Sequence, residues 1–192
     1  MLRAAYSSGI FPWPVEDYDG IPWFAPSQRA LLFIDELRVS RSLRKLLKNN
    51  SYQMRINSSF AEVIRACSAA RKTESGTWIT SEIIEEYTKF HQLGFALSVE
   101  CFSGTELVGG LYGVNIGGFF AGESMFHLQS NTSKLCLVYL LDKLVAQGVS
   151  WIDCQQMTPL LESFGARAVE RQAFMGLLEE ALSRDKLEFE AQ

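Results

Sequence analysis

ELVGGLYGVNIGGFFAGESMF, residues 106–126, decides how the rest of the chain is read. Two apolar runs, rich in β-branched and aromatic residues, flank Asn115-Ile116-Gly117-Gly118. That pattern is a turn between two strands, so the stretch reads as a β-hairpin inside a sheet. Six of the chain's fourteen glycines fall here, with only two acids. Glu123 is the odd residue, a lone carboxylate between Phe119-Phe120-Ala121-Gly122 and Ser124-Met125-Phe126. A charge buried there is costly unless a cation or hydrogen-bond donors meet it. On spacing alone, a strand-end Glu turned to solvent remains the alternative.

Outward from the hairpin, the pattern alternates between periods of two and of 3.6. Residues 1–29 are dominated by turn formers and aromatics (GIFPWP, DYDGIPWFAP) and read as ordered loop with little regular structure. A strand is expected at 30–34. Ser40 caps a basic helix, RSLRKLLK, with Leu43, Leu46 and Leu47 as its apolar stripe. A strand at 52–56 follows, then a helix carrying Phe60, Val63, Ile64 and Cys67 on one face. A helix over 80–92 starts at Thr80 and stops at Gly94. Strands follow at 95–102, 106–114 and 118–126. A long helix over 131–147 turns Leu137, Leu140, Leu141, Leu144 and Val145 to a core. A strand over 149–154 carries Asp153, and a final helix covers 171–183. The sum is an α+β (mixed α/β) fold with a central, mostly antiparallel sheet flanked by helices. The element order matches the acyltransferase (GNAT-like) fold of the acetyl-CoA-dependent N-acetyltransferases. Their cofactor loop would fall at 127–132, where HLQSNT offers neither glycine nor Lys or Arg, so acetyl-CoA is disfavoured and no cofactor is expected.

At 192 residues the chain can bury one sizeable core. No run approaches the ~20 apolar residues of a membrane span, and the first residues lack a signal-peptide pattern. Cys67, Cys101, Cys136 and Cys154 lie in separate elements with no C-x-x-C spacing, which points to reduced thiols, a cytoplasmic setting and no zinc. His91 and His127 are too isolated for a metal site. The net charge is −4, yet residues 38–72 hold nine basic groups and only one acid, Glu62. That local excess is the footprint of a polyanion on one face, the alternative being a solvated amphipathic helix. Trp13 and Trp23 are core plugs or platforms on which a base could stack.

Several motifs run collinearly along nearly the whole chain: GIFPW at 9–13, PWFAP and RA within 22–30, GTWI at 76–79, ELVGGLYGV at 106–114, GESMF at 122–126, Ser133-Lys134, DCQ at 153–155 and S-x-GA at 163–166. In these the sequence resembles the bacterial leucyl/phenylalanyl-tRNA–protein transferases. The resemblance implies transfer of Leu, Phe or Met from aminoacyl-tRNA to the α-amino group of proteins that begin with Arg or Lys, marking them for degradation. It implies Asp153, Gln155 and Glu123 as catalytic residues. Leu111, Phe120, Met125, Leu140 and Leu144 would form the pocket for the aminoacyl side chain, and Trp13 and Trp78 would hold the terminal adenosine. Arg38, Arg41, Arg44, Lys45, Lys48, Arg71 and Lys72 would meet tRNA phosphates, giving salt-dependent binding with little sequence reading. An aminoacyl ester is already activated, so neither a metal nor a covalent nucleophile is required. The enzyme must place a neutral amine on the carbonyl and manage one proton. Asp153 and Gln155, two apart on one strand, would point to the same face. The protein is expected to act as a monomer.

The family pattern also implies residues ahead of the Ala-Tyr-x-x-Gly-Ile-Phe-Pro-Trp motif. Residues 1–29 are therefore expected to be the remnant of a small N-terminal domain and 30–192 the transferase domain. Leu97 and Leu160 stand where the family has histidines, and Phe24 replaces a tryptophan. A tRNA-binding remnant without activity and a small-molecule N-acyltransferase on the same fold are the competing readings.

Overall fold

The computed structural model describes residues 1–13, 22–49, 51–71 and 77–189. The chain opens with a short helix α1 (Leu2–Ser7) and two two-residue strands, β1 (Phe11–Pro12) and β2 (Trp23–Phe24). Then come β3 (Gln28–Phe33), α2 (Arg41–Asn49), β4 (Gln53–Ile56), α3 (Phe60–Ala70) and α4 (Ser81–Gln92). Next comes β5 (Ala96–Ser103), and the stretch 106–126 then forms the central pair β6 (Glu106–Ile116) and β7 (Phe119–His127). After it follow α5 (Thr132–Val145), β8 (Trp151–Gln155), α6 (Pro159–Ser163), β9 (Arg167–Glu170) and α7 (Arg171–Leu182).

Seven strands form one sheet in the order β4-β5-β6-β7-β8-β3-β9. All neighbouring pairs are antiparallel except β7 and β8. The mixed α+β architecture, a mostly antiparallel sheet flanked by helices, is the expected one. Alternating side chains load both faces. One core cluster gathers Phe60, Val63 and Ile64 of α3, Tyr87 and Phe90 of α4, and Phe174 and Leu178 of α7. The other gathers Leu43 of α2 and Leu135, Leu140, Leu141 and Leu144 of α5.

Two sequence expectations change, and His91 takes the core-side rather than the surface place left open to it. Residues 1–13 are more regular than a loop: α1 inserts Tyr6, and β1 inserts Phe11, into the α3–α4–α7 core. Val145 is 52% exposed, because it shares the solvent face of α5 with Asp142 and Lys143 while Leu144 turns to the core. His91 is a packing residue, stacked on Phe60 with ring centroids 4.3 Å apart, with Nδ1 2.9 Å from the Ala96 carbonyl.

Two irregularities of the sheet matter most. Tyr112 pairs with Ser124 and Gly113 with Gly122, so Glu123 is an extra residue on β7. Likewise Leu31 pairs with Asp153 and Ala30 with Gln155, leaving Cys154 extra on β8. Each is a bulge, which bends its strand and re-aims a side chain. β7 and β8 bridge at Ala121 and Asp153, and their bulges lie just beyond that point, where a crevice opens between them. In open sheets a crevice at the carboxyl ends of parallel strands is a favoured ligand site.

Close approach sets where α5 lies on the sheet. A Cβ on Gly109 of β6 would stand 2.9 Å from the backbone carbonyl carbon of Thr132. Only a bare backbone fits there, so Gly109→Ala should cost ~1–3 kcal/mol of stability. Urea unfolding checks this, with a lower midpoint and an unchanged slope.

Candidate active site

The crevice is a cavity of about 350 Å³. Its floor is apolar, built from Leu111, Phe120, Met125, Leu137 and Ile152, with Leu160 and Leu161 from α6. Trp13 and Trp78 also line it. Its polar groups come mainly from the two bulges: Glu123 and Ser124 on one side, Gln155 and Gln156 on the other, with Arg71 alongside.

Glu123 resolves the ambiguity left by the sequence. Its Oε1 accepts from the Tyr6 hydroxyl at 2.6 Å and from Gln155 Nε2 at 2.6 Å. Its Oε2 accepts from the Tyr87 hydroxyl at 3.2 Å, and the two tyrosine oxygens are themselves 2.5 Å apart. Three neutral donors thus replace water, and no cation meets the carboxylate in the described contacts. Burial lifts its pKa to about 7; the negative charge of Asp153 adds to the rise, and the bonds from Tyr6, Tyr87 and Gln155 oppose it. The same burial raises the phenol pKa values of Tyr6 and Tyr87, with the Glu123 charge as second cause, so both remain donors.

Asp153 stands behind the cavity, not on it. It is fully buried and forms a fork-to-fork pair with Arg29: Nε donates to Oδ1 at 2.8 Å and Nη2 to Oδ2 at 2.6 Å. Arg29 is 1% exposed, lies over the rings of Phe11 (4.2 Å) and Phe174 (4.6 Å), and donates Nη1 to the Gly9 carbonyl at 3.1 Å. Asp153 Oδ1 also accepts the backbone N–H of Gln155 at 2.8 Å. Gln155 has φ 64°, a left-handed conformation unusual outside glycine and asparagine. The simple picture of two side chains projecting side by side from a regular strand therefore fails, because the bulge at Cys154 breaks the alternation. Asp153 instead pins the twisted backbone that presents Gln155 to the cavity.

The other expected site residues divide. Leu111, Phe120 and Met125 line the cavity, as do Trp13, Trp78 and Arg71. Leu140 and Leu144 do not; both are fully buried in the core between α5 and the sheet. The cavity meets only the start of α5, so Leu137, one turn earlier, takes the lining position. Arg38, Arg41, Arg44, Lys45 and Lys48 are exposed on or just before α2, without a carboxylate partner among the described residues. Lys72 lies outside the described residues. Tyr6, Tyr87 and Arg29 escaped the sequence reading. Tyr6 stands in the Ala-Tyr-x-x-Gly motif and Arg29 in the Arg-Ala pair quoted within 22–30, which could have flagged both; Tyr87 stands in no such motif.

The site is therefore an apolar hollow with a carboxylate–amide couple at its edge, the carboxylate's pKa raised to about 7. Comparison with known proteins is more specific. The family model described as Leucyl/phenylalanyl-tRNA protein transferase matches residues 31–179, and the model of that family's N-terminal domain matches residues 1–27. The relative from Chromobacterium violaceum, a leucyl/phenylalanyl-tRNA–protein transferase, is 49% identical over 179 residues, which is 93% of this chain and 76% of the relative. One of the same name from Nitrosomonas eutropha is 50% identical over 177 residues, 92% of this chain and 75% of that one. Among solved structures, L-PGS from Bacillus licheniformis shares 14% identity with a TM-score of 0.48, covering 82% of this chain and 65% of that one. The chain belongs to the leucyl/phenylalanyl-tRNA–protein transferase family.

Two outcomes are expected. Removing one partner of a buried ion pair leaves an uncompensated charge, so Arg29→Met and Asp153→Ala should each cost ~3–5 kcal/mol in urea unfolding. Glu123 titrates at about 7 when folded but near ~4.3 when unfolded. The folded state then binds more protons between these values, so Glu123 makes stability fall as pH rises from about 4.5 to 7. Glu123→Gln should remove that part of the slope, measured by thermal melts across this window; an unchanged slope would count against the raised pKa.

Proposed function

We infer that the protein is an aminoacyl-tRNA–protein transferase, which moves Leu, Phe or Met from its tRNA ester to the α-amino group of proteins beginning with Arg or Lys and so marks them for degradation. The observation that supports this most directly is the Glu123–Gln155 couple at the edge of an apolar cavity that Trp13 and Trp78 also line. Its floor suits an unbranched or γ-branched apolar side chain, and Met125 lets it adapt to several. The two indoles offer faces for the terminal adenine. The exposed cations of α2 would engage phosphates of the acceptor stem. The acyltransferase-type architecture, the division at residue 29/30 and a cytoplasmic setting belong to the same reading. The division would mark a family boundary, since residues 1–13 share their core with the rest of the chain.

The residues suggest how the reaction is run. A protein α-amino group has a pKa of ~8 and arrives mostly as an ammonium ion. Glu123, titrating at about 7, is matched to accept its proton near neutrality. Because Gln155 spends Nε2 on Glu123, its Oε1 is left to accept from the amine and aim the nitrogen lone pair at the ester carbonyl. The new C–N bond forms as the ester C–O bond breaks. The second proton that the nitrogen sheds on forming this bond leaves with the ribose hydroxyl, and the first, held by Glu123, returns to solvent. Asp153 acts through Gln155 by holding its backbone, and so is a positioning residue. Positioning of this kind supplies much of the rate, since the ester needs no activation.

Gln155→Ala should lower the rate of Phe transfer from Phe-tRNA to an Arg-starting peptide by ~10²-fold or more, while leaving the melting temperature within a few degrees of the parent. Mass spectrometry of the peptide reads the transfer. A Gln155→Ala variant as fast as the parent, or a parent that transfers nothing, would overturn the assignment.

A further inference from the structure

A second hollow, about 530 Å³, adjoins the cavity and shares Arg71, Met125 and Leu160 with it. Its polar lining is Arg71, His127, Ser130, Asn131, Ser133 and Lys134, and among the described residues none that lines it is acidic. One wall is the first turn of α5. Asn131 takes the N-cap position with φ 69°, and its side chain makes no capping bond. The backbone N–H groups of Ser133 and Lys134 meet no acceptor among the described residues, so two of the orphan donors found at every helix start are open. Ser133 is the more telling group. It is 4% exposed and lines the hollow, yet its hydroxyl has no hydrogen-bond partner among the described residues. Its oxygen is reached from the hollow rather than sealed in the core, so it is free to bond a ligand there. The Ser133-Lys134 motif also has no task in the transfer chemistry above.

We propose that this hollow binds one phosphate of the donor, the phosphodiester that joins the terminal aminoacylated nucleoside to the nucleotide before it. The proposal rests on the transferase reading. A helix start with open N–H groups and a positive dipole end favours an anion. The Ser133 hydroxyl, the Lys134 ammonium and the Arg71 guanidinium add donors suited to phosphate oxygens. Arg71 lines both hollows and is the link: a nucleoside in the first cavity would carry its 5′ phosphate past Arg71 into the second. Such a contact reads no base, but it distinguishes a nucleotide chain end from a bare aminoacyl nucleoside.

The test compares two donors of the same Phe ester, aminoacyl-adenosine and aminoacyl-cytidylyl-adenosine, the second adding the one phosphodiester. The parent should use the dinucleotide with at least tenfold higher kcat/KM. The variant S133A/K134A should lose that advantage while turning over aminoacyl-adenosine at the parental rate. Alanine is a good helix former and Ser133 gives up no bond, so the variant should fold, which its melting temperature checks. Equal losses on both donors, or a retained advantage, would overturn the proposal. Phosphates could also come from coenzyme A, so acetyl-CoA and the trinucleotide CCA are run as competitors. Competition by CCA at concentrations where acetyl-CoA has no effect supports the proposal, and the reverse order overturns it. If the parent transfers from no donor, the transferase reading fails by itself. The phosphate site is then decided by binding: the parent must hold CCA more tightly than adenosine, and the variant must not.

Discussion

Arg29 and Asp153 hold the molecule's working half together. Both charges are removed from water, and their forked pairing at 2.6 and 2.8 Å offsets much of that loss. The guanidinium is wedged between Phe11 and Phe174 and bonded to the Gly9 carbonyl. One side chain of β3 therefore ties together the N-terminal segment, β8 and α7. Asp153 uses its remaining capacity on the Gln155 amide, and its negative charge helps to raise the Glu123 pKa. The group that secures the core thus also adds to the proton affinity of the group facing the cavity, which burial raises most.

Much of this was legible in the residues. The hairpin announced itself because Asn115 to Gly118 interrupts two strand-like runs, and β6 and β7 turn there. The helix over 81–92 was legible because Thr80 caps it, accepting from the Ile83 N–H. The short helix α6 was equally readable in principle, since Thr158 caps it and Pro159 opens it, but five residues leave no periodicity to notice. Helix α1 has neither a cap bond nor an acidic first turn; only the burial of Tyr6 gives it a place.

The site was harder to read, and for a definite reason. Its polar residues gain meaning from partners far away in the chain: Arg29 lies 124 residues from Asp153, and Tyr6 lies 117 from Glu123. Periodicity speaks of which face a residue occupies, and it failed where the ladder is irregular. Neither bulge could be read from alternation, so the relation of Asp153 to Gln155 came out wrong in geometry though right in proximity. The leucines of α5 show the same limit. Helical spacing put Leu137, Leu140 and Leu144 on one stripe, and only the position of the crevice along the helix separates lining from core.

The paired bulges at Glu123 and Cys154 have an evolutionary corollary. Each is one residue more than its neighbouring strand requires, so losing a single codon in either strand would mend the ladder and straighten the strand. Such a deletion would spare most of the hydrophobic interior yet swing the carboxylate or the amide out of reach. Strand length here is therefore set by where two polar side chains must stand rather than by what the ladder needs, and the more regular sheet would be the one without the Glu123–Gln155 couple.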